Sequence, residues 1–376
     1  MIKKGLPFVL FLCALSVQAQ VQLVVTSVPA DTPAGAKIYV AGSFNNWNPA
    51  ATVLNKSSDG KFTVTIPETE GIAEYKFTRG SWETAEGNSA GNQLPNRSFT
   101  FTAKPQTINH QILSWPKPQI RKSTASPNVK ILNENYAVPQ LQTTRRIWIY
   151  LPADYETSKR KYPVVYMHDG QNLFDELTSF SGEWKVDETL DQLFGNGGKQ
   201  AIVVGIDNGG SERLNEYSPW KNATHGGGKG GLYADFLANT LKPYIDKTYR
   251  TRPQARHTAL MGSSMGGLIT FYTGMRYPQK FGKLGIFSPS FWFAKDDVKS
   301  FIANNSNEIK RTRFYFLAGR KESAQMTADV EEIVPILLKN GARKKNIQTK
   351  FDDEGTHSES YWAKEFPAAY RWLLGL

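Results

Sequence analysis

A glycine–serine pattern at residues 262–266 has the residue types and the spacing that a serine nucleophile needs. The sequence there is GSSMG, which fits G-x-S-x-G, between an apolar stretch at 258–261 and a helix-like stretch at 268–273. In a tight strand-to-helix turn the backbone passes so close to itself that a side chain at either glycine would clash. The pattern predicts that Ser264 Oγ stands above the edge of a sheet. It also leaves the Met265 N–H at a helix N-terminus, where it can bind a developing oxyanion.

A nucleophilic serine requires a base, and one histidine stands in the order that this chemistry prefers. In this class of turn the nucleophile comes first in the chain, then the acid, then the histidine. His357 follows Ser264 and lies between a predicted strand and the last predicted helix, so we predict it as the base. The remaining histidines all precede the serine: His110, His168, His225 and His257.

The base in turn requires an acid that orients its ring. Glu322 follows the apolar strand predicted at 314–317, which is the expected place for that acid. Three carboxylates closer to His357 in the chain are alternatives, although each would have to fold back on the histidine: Asp352, Asp353 and Glu354.

A second oxyanion donor is expected in the loop that follows the strand predicted to end at Met167. Gly170 is favoured for this N–H, because a glycine lets the backbone face a substrate, and Gln171 is the alternative. His168 belongs to the same loop, and we predict that it braces the loop rather than reacts.

Other chemistries have less support among the residues. The histidines show neither an H-x-H nor an H-x-x-x-H spacing, so no metal site is expected. The glycine-rich stretch at 226–231 lacks the residue order of a phosphate-binding loop and is interpreted as a mobile loop near the site. The sequence carries no nucleotide or flavin fingerprint, so we expect no cofactor.

These residues need a scaffold, and the pattern from residue 129 onward predicts an α/β fold with a mostly parallel sheet. Continuous apolar strands are predicted at Arg146–Leu151, Tyr162–Met167, Gln200–Ile206, His257–Leu260, Lys283–Phe287, Arg313–Leu317 and Ile347–Phe351. They alternate with helices predicted at Lys185–Phe194, Leu232–Lys247, Met265–Arg276, Asp296–Asn304, Thr327–Asn340 and Glu359–Leu374.

The residues before this region predict a separate all-β domain. Short alternating stretches at 37–41, 61–66, 73–78 and 98–102 are separated by turn residues, which indicates a small β-sandwich over 20–103. The proline-bearing stretch at 104–128 is predicted as a linker, and 129–376 as the α/β domain.

The N-terminus and the charge bear on location and partners. Residues 1–19 have two lysines, a short apolar run and an A-x-A-like end, so we predict a cleaved signal peptide and an exported protein. The predicted signal peptide contains Cys13, the one cysteine of the chain, and bulky residues before Cys13 argue against a lipid anchor. No later apolar run is long enough for stable membrane insertion. The net charge of +11 comes from scattered clusters without a nucleic-acid motif, so no nucleic-acid partner is expected.

The chain from Val129 onward resembles the esterase branch of the α/β-hydrolases, which includes feruloyl, acetyl-xylan and enterochelin-type trilactone esterases. The resemblance rests on five segments, at 166–174, 205–208, 262–267, 319–322 and 355–357. It implies an α/β-hydrolase sandwich with Ser264 as nucleophile, His357 as base and Glu322 as acid. Many relatives carry Asp at the acid position, and Glu322 departs from them by one methylene.

The N-terminal part resembles starch- and glycogen-binding modules of the immunoglobulin-like E-set type. The resemblance rests on AGSFNNW at 41–47, DGKF at 59–62, YKF at 75–77 and GSW at 80–82. It implies that Trp47 and Trp82 stack on sugar faces and that Lys76 donates to hydroxyls. Such modules also pack against catalytic domains without binding sugar, so that alternative stays open.

The leading hypothesis is a secreted serine esterase that removes acetyl or feruloyl groups from polysaccharide, with an acylated glycan or a small ester as its partner. The alternatives are a siderophore trilactone esterase and, from another class, a non-catalytic glycan-binding protein. Three tryptophans either shape the acyl or sugar pocket or act as buried anchors: Trp184, Trp220 and Trp292.

Overall fold

The computed structural model describes most of the chain in two compact units, Met1–Gln119 and Ile120–Leu376. The described residues are 20–67, 72–92, 94–102, 104–116, 122–195, 197, 200–305 and 309–375. The predicted signal peptide at 1–19, with Cys13, lies outside the described residues.

The first unit contains two four-stranded sheets, as the alternating stretches predict. Its strands are β1 (Gln20–Ser27), β2 (Tyr39–Gly42), β3 (Thr52–Val53), β4 (Asn55–Lys56), β5 (Phe62–Pro67), β6 (Ile72–Thr78), β7 (Arg97–Thr100) and β8 (Gln106–Gln111). The strand orders are β4-β5-β1-β8 and β3-β2-β6-β7. Every second side chain of β1 and β6, including Leu23 and Tyr75, is buried in one shared apolar core.

The last strand of this unit corrects the predicted domain boundary. β8 pairs in parallel with β1, yet it lies inside the predicted linker at 104–128. The linker prediction is therefore wrong at its start. The strand is hard to predict because its sequence, QTINHQ, has one aliphatic residue. Its alternate side chains are still half-buried, and His110 Nε2 lies 2.9 Å from the Tyr75 hydroxyl.

The second unit is built on one eight-stranded sheet, which confirms the predicted α/β class. Its strands are β9 (Val129–Val138), β10 (Thr143–Tyr150), β11 (Val164–His168), β12 (Ile202–Ile206), β15 (Thr258–Ser263), β16 (Lys283–Phe287), β17 (Arg313–Gly319) and β18 (Ile347–Asp352), and a separate hairpin is formed by β13 (Lys221–Asn222) and β14 (Gly226–Gly227). The sheet order is β18-β17-β16-β15-β11-β12-β10-β9. The strands from β18 to β12 in that order are parallel, whereas β10 is antiparallel to both of its neighbours, β12 and β9.

Helices cover both faces of the sheet. They are α1 (Val186–Gly195), α2 (Arg213–Glu216), α3 (Gly230–Phe236), α4 (Lys242–Thr248), α5 (Met265–Arg276), α6 (Lys295–Asn304), α7 (Ala324–Lys339) and α8 (Glu359–Leu374). The helix predicted for 232–247 consists of α3, a π-helical turn at Leu237–Leu241 and α4. Helices α1 and α8 pack on one face of the sheet, and α3 to α7 pack on the other.

The central strands are continuously apolar because both of their faces are covered. In β11, Val164 and Tyr166 enter one core and Val165 and Met167 enter the other. The strand β9 was not predicted, since it forms the edge of the sheet and most of its side chains are exposed or half-buried.

The parallel strands end at one edge, and the predicted site residues lie there. Ser264 follows β15, Gly170 follows β11, Glu322 follows β17 and His357 follows β18. The register of the strands therefore brings together residues that are up to 187 positions apart in the chain. Among the described residues, no helix is both long and apolar enough to cross a membrane.

A group of carboxylates lies at the start of α1. Glu183, Asp187 and Glu188 each offer an oxygen within 4.8 Å of the others. Burial, together with the Glu188 carboxylate, raises the pKa of Asp187 to about 8 and that of Glu183 to about 7. Asp187 Oδ2 accepts the Ser126 N–H at 2.7 Å, while its Oδ1 is buried without a hydrogen-bond partner among the described residues.

Because the folded state raises the pKa of Asp187, it holds a proton that the unfolded chain releases above pH ~4. The stability from this proton is present at low pH and is lost as the pH rises towards 8. We expect Asp187→Asn, which is neutral at every pH, to raise the melting temperature near pH 8 by roughly 2–4 °C and to change it little near pH 5. Thermal unfolding of both forms across this range is the measurement.

The matched control is Asp297→Asn, which changes an exposed carboxyl in α6. A gain for Asp187→Asn that is the same at both pH values, or that the control reproduces, would contradict the assignment.

Candidate active site

The turn between β15 and α5 has the strand–turn–helix form that the sequence predicts. Ser264 precedes the first residue of α5 with φ 58° and ψ −123°, a backbone conformation that a non-glycine residue rarely adopts. A Cβ on Gly262 would lie 2.8 Å from the Gly266 carbonyl oxygen, so the expected backbone clash is present at this position. At Gly266 the nearest atom is a side-chain oxygen of Asp169 at 3.3 Å, a milder restriction.

His357 and Glu322 are in direct contact, as predicted for a base and its orienting acid. His357 Nδ1 lies 2.8 Å from Glu322 Oε2, and the Glu322 side chain is only 2% exposed. The other carboxylate oxygen accepts the Gly319 N–H at 2.6 Å and the Ser288 hydroxyl at 2.7 Å. Two donors therefore hold the Glu322 carboxylate in addition to its contact with the imidazole.

Two glycines allow the acid loop and the histidine loop to touch. A Cβ on Gly319 would lie 2.2 Å from the Gly355 carbonyl, so neither loop has room for a side chain there. Backbone bonds cross at the same place, because Lys321 N–H donates to the Gly355 carbonyl at 3.0 Å. The alternative acids take other partners: Asp352 lies 3.6 Å from Lys364, Asp353 lies 3.0 Å from Arg320, and Glu354 pairs with Lys321.

The segment after β16 connects the serine to the acid–base pair. Ser264 N–H donates to the Phe287 carbonyl at 2.9 Å, and the Ser264 carbonyl accepts the Ser290 N–H at 3.1 Å. The Oγ atoms of Ser264 and Ser290 are 3.3 Å apart. Ser288, two residues earlier, donates to Glu322 and accepts the Trp362 indole N–H at 2.9 Å. A continuous set of contacts thus joins the nucleophile turn to α8.

The loop after β11 forms a short 3-10 turn at Gly170–Asn172. A Cβ on Gly170 would lie 2.8 Å from the backbone of Ile206, so close packing on the end of β12 also requires this glycine. Gln171 is half-buried, and its side-chain oxygen accepts the Asn208 N–H at 3.2 Å. Gly170 and Gln171 both stay candidates for the second oxyanion donor.

A buried ion pair holds the beginning of this turn. Asp169 has φ 56°, and its carboxylate accepts two hydrogen bonds from Arg213 at 2.7 and 2.9 Å and one from Asn208 at 2.7 Å. Burial opposes ionisation of Asp169, but the Arg213 guanidinium outweighs it and lowers the pKa of the carboxyl.

His168 has the environment of a bracing residue. It is 2% exposed, its Nδ1 lies 3.0 Å from the Tyr233 hydroxyl, and its ring packs against Tyr217 and Tyr233. Burial lowers the pKa of His168 to about 4, so the ring is neutral at ordinary pH. Its contacts hold the end of β11, from which the loop begins.

The three tryptophans for which the sequence left two roles open differ in their burial. Trp184 is buried and stacks on Phe287 with ring centroids 5.2 Å apart, and Trp220 packs edge-on against Tyr272. Trp292 is 42% exposed and lies two residues after Ser290, with its ring against His225. Trp184 is therefore an anchor of the protein interior, Trp220 is half-buried against the core, and Trp292 is exposed.

In the first unit, two of the three predicted sugar-contacting residues meet. The rings of Trp47 and Trp82 have centroids 6.2 Å apart with planes inclined by 38°, and both are half-buried. Lys76 lies in β6 opposite Ala41, the strand residue before the turn that carries Trp47. Trp47 itself has φ 57°, a strained conformation for a bulky residue.

Several residues of the site were not predicted. Ser288 and Ser290 form hydrogen bonds with Glu322 and Ser264, respectively. Trp362 donates to Ser288 and packs edge-on against His357, and Arg213 holds the β11 loop. A signal for the two serines was present in their position directly after a core strand, at the edge where the other site residues lie. Nothing in the local sequence marks Arg213 or Trp362.

A family model described as "Putative esterase" matches residues 139–373, and the chain belongs to this family. The protein is therefore a carboxylic ester hydrolase. The family match covers the strand ends that carry the nucleophile turn, the acid and the histidine.

Three relatives illustrate the range of similar sequences. The uncharacterized protein YbbA of Bacillus subtilis is 26% identical over 244 residues, which is 61% of this chain and 93% of that protein. An endo-1,4-β-xylanase/feruloyl esterase of Xylanibacter ruminicola is 25% identical over 257 residues, 63% of this chain and 31% of that protein. An α-amylase of Niallia circulans is 44% identical over 92 residues, 24% of this chain and 7% of the amylase.

Solved structures share the fold. A ferulic acid esterase superposes with a TM-score of 0.51 at 18% identity, covering 65% of this chain and 99% of its own. The enterobactin esterase FES of Shigella flexneri, in the presence of enterobactin, superposes with a TM-score of 0.52 at 16% identity, covering 90% of this chain and 88% of its own.

The contact at Gly262 gives a test of the turn. We expect Gly262→Ala to lower the free energy of unfolding by about 2–3 kcal/mol, because its Cβ would collide with the Gly266 carbonyl. Gly231→Ala is the control, since a Cβ there meets its nearest atom, the Tyr272 hydroxyl, at an ordinary 3.6 Å. Denaturant unfolding measures both, and equal stabilities would contradict the close approach.

Proposed function

We propose that the protein is an exported serine esterase that removes acyl groups, such as acetyl or feruloyl groups, from polysaccharide. The catalytic residues are Ser264 as nucleophile, His357 as base and Glu322 as the acid that orients the base. The observation that carries the proposal is the 2.8 Å contact between His357 Nδ1 and Glu322, next to a serine held in a strained turn. A buried carboxylate on Nδ1 fixes the ring and directs Nε2 to the proton of the serine.

In the acylation step, Ser264 Oγ attacks the ester carbonyl carbon as His357 Nε2 takes the hydroxyl proton. The carbonyl oxygen becomes an oxyanion, which the Met265 N–H stabilises together with the Gly170 N–H or the alternative Gln171 N–H. The Met265 amide stands in the first turn of α5, where a helix provides no carbonyl for it. The imidazolium then gives its proton to the departing alcohol oxygen, and an acyl-serine remains.

In the deacylation step, the oxygen of a water molecule attacks the acyl carbon as His357 takes a proton from that water. The second oxyanion collapses, Ser264 Oγ leaves, and the imidazolium returns the proton to it. The Glu322 carboxylate stabilises the imidazolium twice in each cycle.

An exposed aromatic side chain near the serine favours a substrate with a large, flat acyl group. Trp292 is exposed and lies two residues from Ser290, whose Oγ is 3.3 Å from Ser264 Oγ. The loop that carries His225 is held against the same segment, because Asn222 Nδ2 donates to the Phe293 carbonyl at 2.9 Å. Flat aromatic acyl groups pack well on such side chains.

The first unit supports a glycan as the alcohol part of the ester. Trp47 and Trp82 form an aromatic pair that we propose as a sugar-stacking surface, with Lys76 donating to hydroxyl groups. The strained backbone of Trp47 is consistent with a side chain held in place for binding. The proposal is also supported by relatives named as a xylanase/feruloyl esterase and an α-amylase.

The second candidate is hydrolysis of a siderophore trilactone. The observation that favours it is the enterobactin esterase fold, which covers 90% of this chain and so extends beyond the α/β sheet. The positive net charge of the chain would attract an anionic iron chelate. Export is proposed from residues 1–19 alone, and either substrate would be met outside the cytoplasm.

The triad can be tested by removing the nucleophile. We expect Ser264→Ala to lower kcat on p-nitrophenyl acetate by a factor on the order of 10⁵, and Glu322→Gln by about 10³–10⁴, since the amide no longer favours the reactive tautomer. Ser263→Ala, the neighbouring serine in β15, is the control and should retain activity. Wild-type turnover by Ser264→Ala would contradict the proposal.

The substrate class can be tested with the same variants. Wild type and Ser264→Ala are compared on methyl ferulate, acetylated xylan and a ferric catecholate trilactone. We expect Ser264-dependent release of ferulate or acetate to exceed cleavage of the trilactone. Preference for the trilactone would favour the second candidate, and no turnover of any ester would favour a glycan-binding protein.

The sugar surface gives a further prediction. Trp47→Ala and Trp82→Ala should each weaken binding to insoluble starch or xylan by roughly tenfold, since one aromatic face contributes about 1–1.5 kcal/mol. Turnover of p-nitrophenyl acetate should not change. The control is Trp115→Ala, a tryptophan buried in the core of the same unit. Trp115→Ala should lower the melting temperature. Unchanged glycan retention by Trp47→Ala and Trp82→Ala would contradict the proposed role of these two rings in sugar binding.

A further inference from the structure

Glu359, the first residue of α8, connects two parts of the site that are far apart in the chain. It lies two residues after His357, and its Oε1 accepts a hydrogen bond from the Ser181 hydroxyl and one from Asn172 Nδ2 at 3.3 Å. Asn172 is the last residue of the 170–172 turn, which carries both candidates for the second oxyanion donor. Glu359 thus links the N-terminus of α8, the helix that follows His357, to the turn after β11.

The partners of Glu359 are themselves held rigidly. Asn172 Oδ1 accepts the Phe180 N–H at 3.2 Å, and the Asn172 carbonyl accepts the Trp184 N–H at 2.8 Å. Gly182 leaves room for the carboxylate stem, since a Cβ there would lie 3.3 Å from Glu359 Cβ. The loop that contains these residues therefore closes around Glu359.

The sheet order shows why such a connection matters. From β18 the strands run β17, β16, β15 and then β11, so the histidine loop and the 170–172 turn stand on opposite sides of the nucleophile turn. No strand pairing links β18 directly to β11. Glu359 bridges them, and it does so at the same edge of the sheet as Ser264.

We propose that Glu359 is a positioning residue, which sets the spacing between the His357 loop and the turn that supplies the second oxyanion donor. The inference rests on the proposed function, because it assigns Glu359 an effect on the reaction of Ser264. Misplacement of either part by 1 Å is enough to slow such a reaction severalfold to a hundredfold.

The charge of Glu359 gives this role a signature in the pH dependence. Burial, with a smaller contribution from the Asp169 carboxylate, raises the pKa of Glu359 to about 7, although the Ser181 hydrogen bond and the His357 ring act in the opposite direction. Arg213 faces the same group of charges from α2. Above pH ~7 the ionised carboxylate favours the imidazolium that forms on His357, and below it the protonated carboxyl keeps the hydrogen bonds without the charge.

Two variants separate the contact from the charge. Glu359→Gln keeps an oxygen acceptor for Ser181 and Asn172 but stays neutral, whereas Glu359→Ala removes the bridge. On p-nitrophenyl acetate we expect Glu359→Ala to lower kcat by about 10–100-fold with KM changed less than threefold. We expect Glu359→Gln to match wild type near pH 6 and to fall behind it by about 3–10-fold near pH 8.

The control is Glu331→Gln, an exposed glutamate in α7 that should behave as wild type at every pH. Circular dichroism confirms that each variant is folded, and the near-isosteric Gln variant keeps the test decisive if the Ala variant unfolds. A folded Glu359→Ala variant with the kcat of wild type, or a wild-type to Gln ratio that is large but independent of pH, would overturn the inference. Activity that survives Ser264→Ala would instead overturn the proposed function.

Discussion

The backbone of Ser264 is the constraint on which the site depends. At φ 58° and ψ −123° a serine is strained by about 1–3 kcal/mol, and such strain persists only where the surrounding structure enforces it. The enforcing contacts are the close approach of Gly262 to the Gly266 carbonyl and the backbone bonds of Ser264 to Phe287 and Ser290. The turn ends the strand at one hydroxyl and begins a helix beside it, so the proposed nucleophile and the proposed oxyanion donor come from a single local feature.

The other site residues are arranged around this turn by the order of the strands. β16 supplies the serines that reach back to the turn and forward to the acid, β17 supplies Glu322, and β18 supplies His357. Two of these strands also provide the donors that fix the acid, since Gly319 belongs to β17 and Ser288 follows β16. The helix that follows β18 then packs across the sheet, and its Trp362 and Glu359 close the set of hydrogen bonds.

The sequence predicts features that depend on neighbours in the chain. The glycines around Ser264, the apolar core strands and the helix α5 belong to this group, and the predictions for Glu322 and His357 rest on their place after a strand. Features that depend on distant partners were missed, since Asn172 and Glu359 are 187 positions apart. Edge elements such as β8 and β9 were missed because one exposed side leaves little apolar pattern. Gly170 shows a third case, in which the residue stays a candidate oxyanion donor but its packing on β12 is enough to explain the glycine.

The central claim is that Ser264 is a nucleophile activated by the pair of His357 and Glu322. The most direct measurement is peptide mass spectrometry after treatment with a fluorophosphonate, which forms a covalent bond only with an activated serine. We expect one adduct per chain, located on Ser264, formed rapidly in the wild type and on the order of a thousandfold more slowly in His357→Ala. An adduct on another residue, or labelling of Ser264 at an equal rate in both proteins, would contradict it.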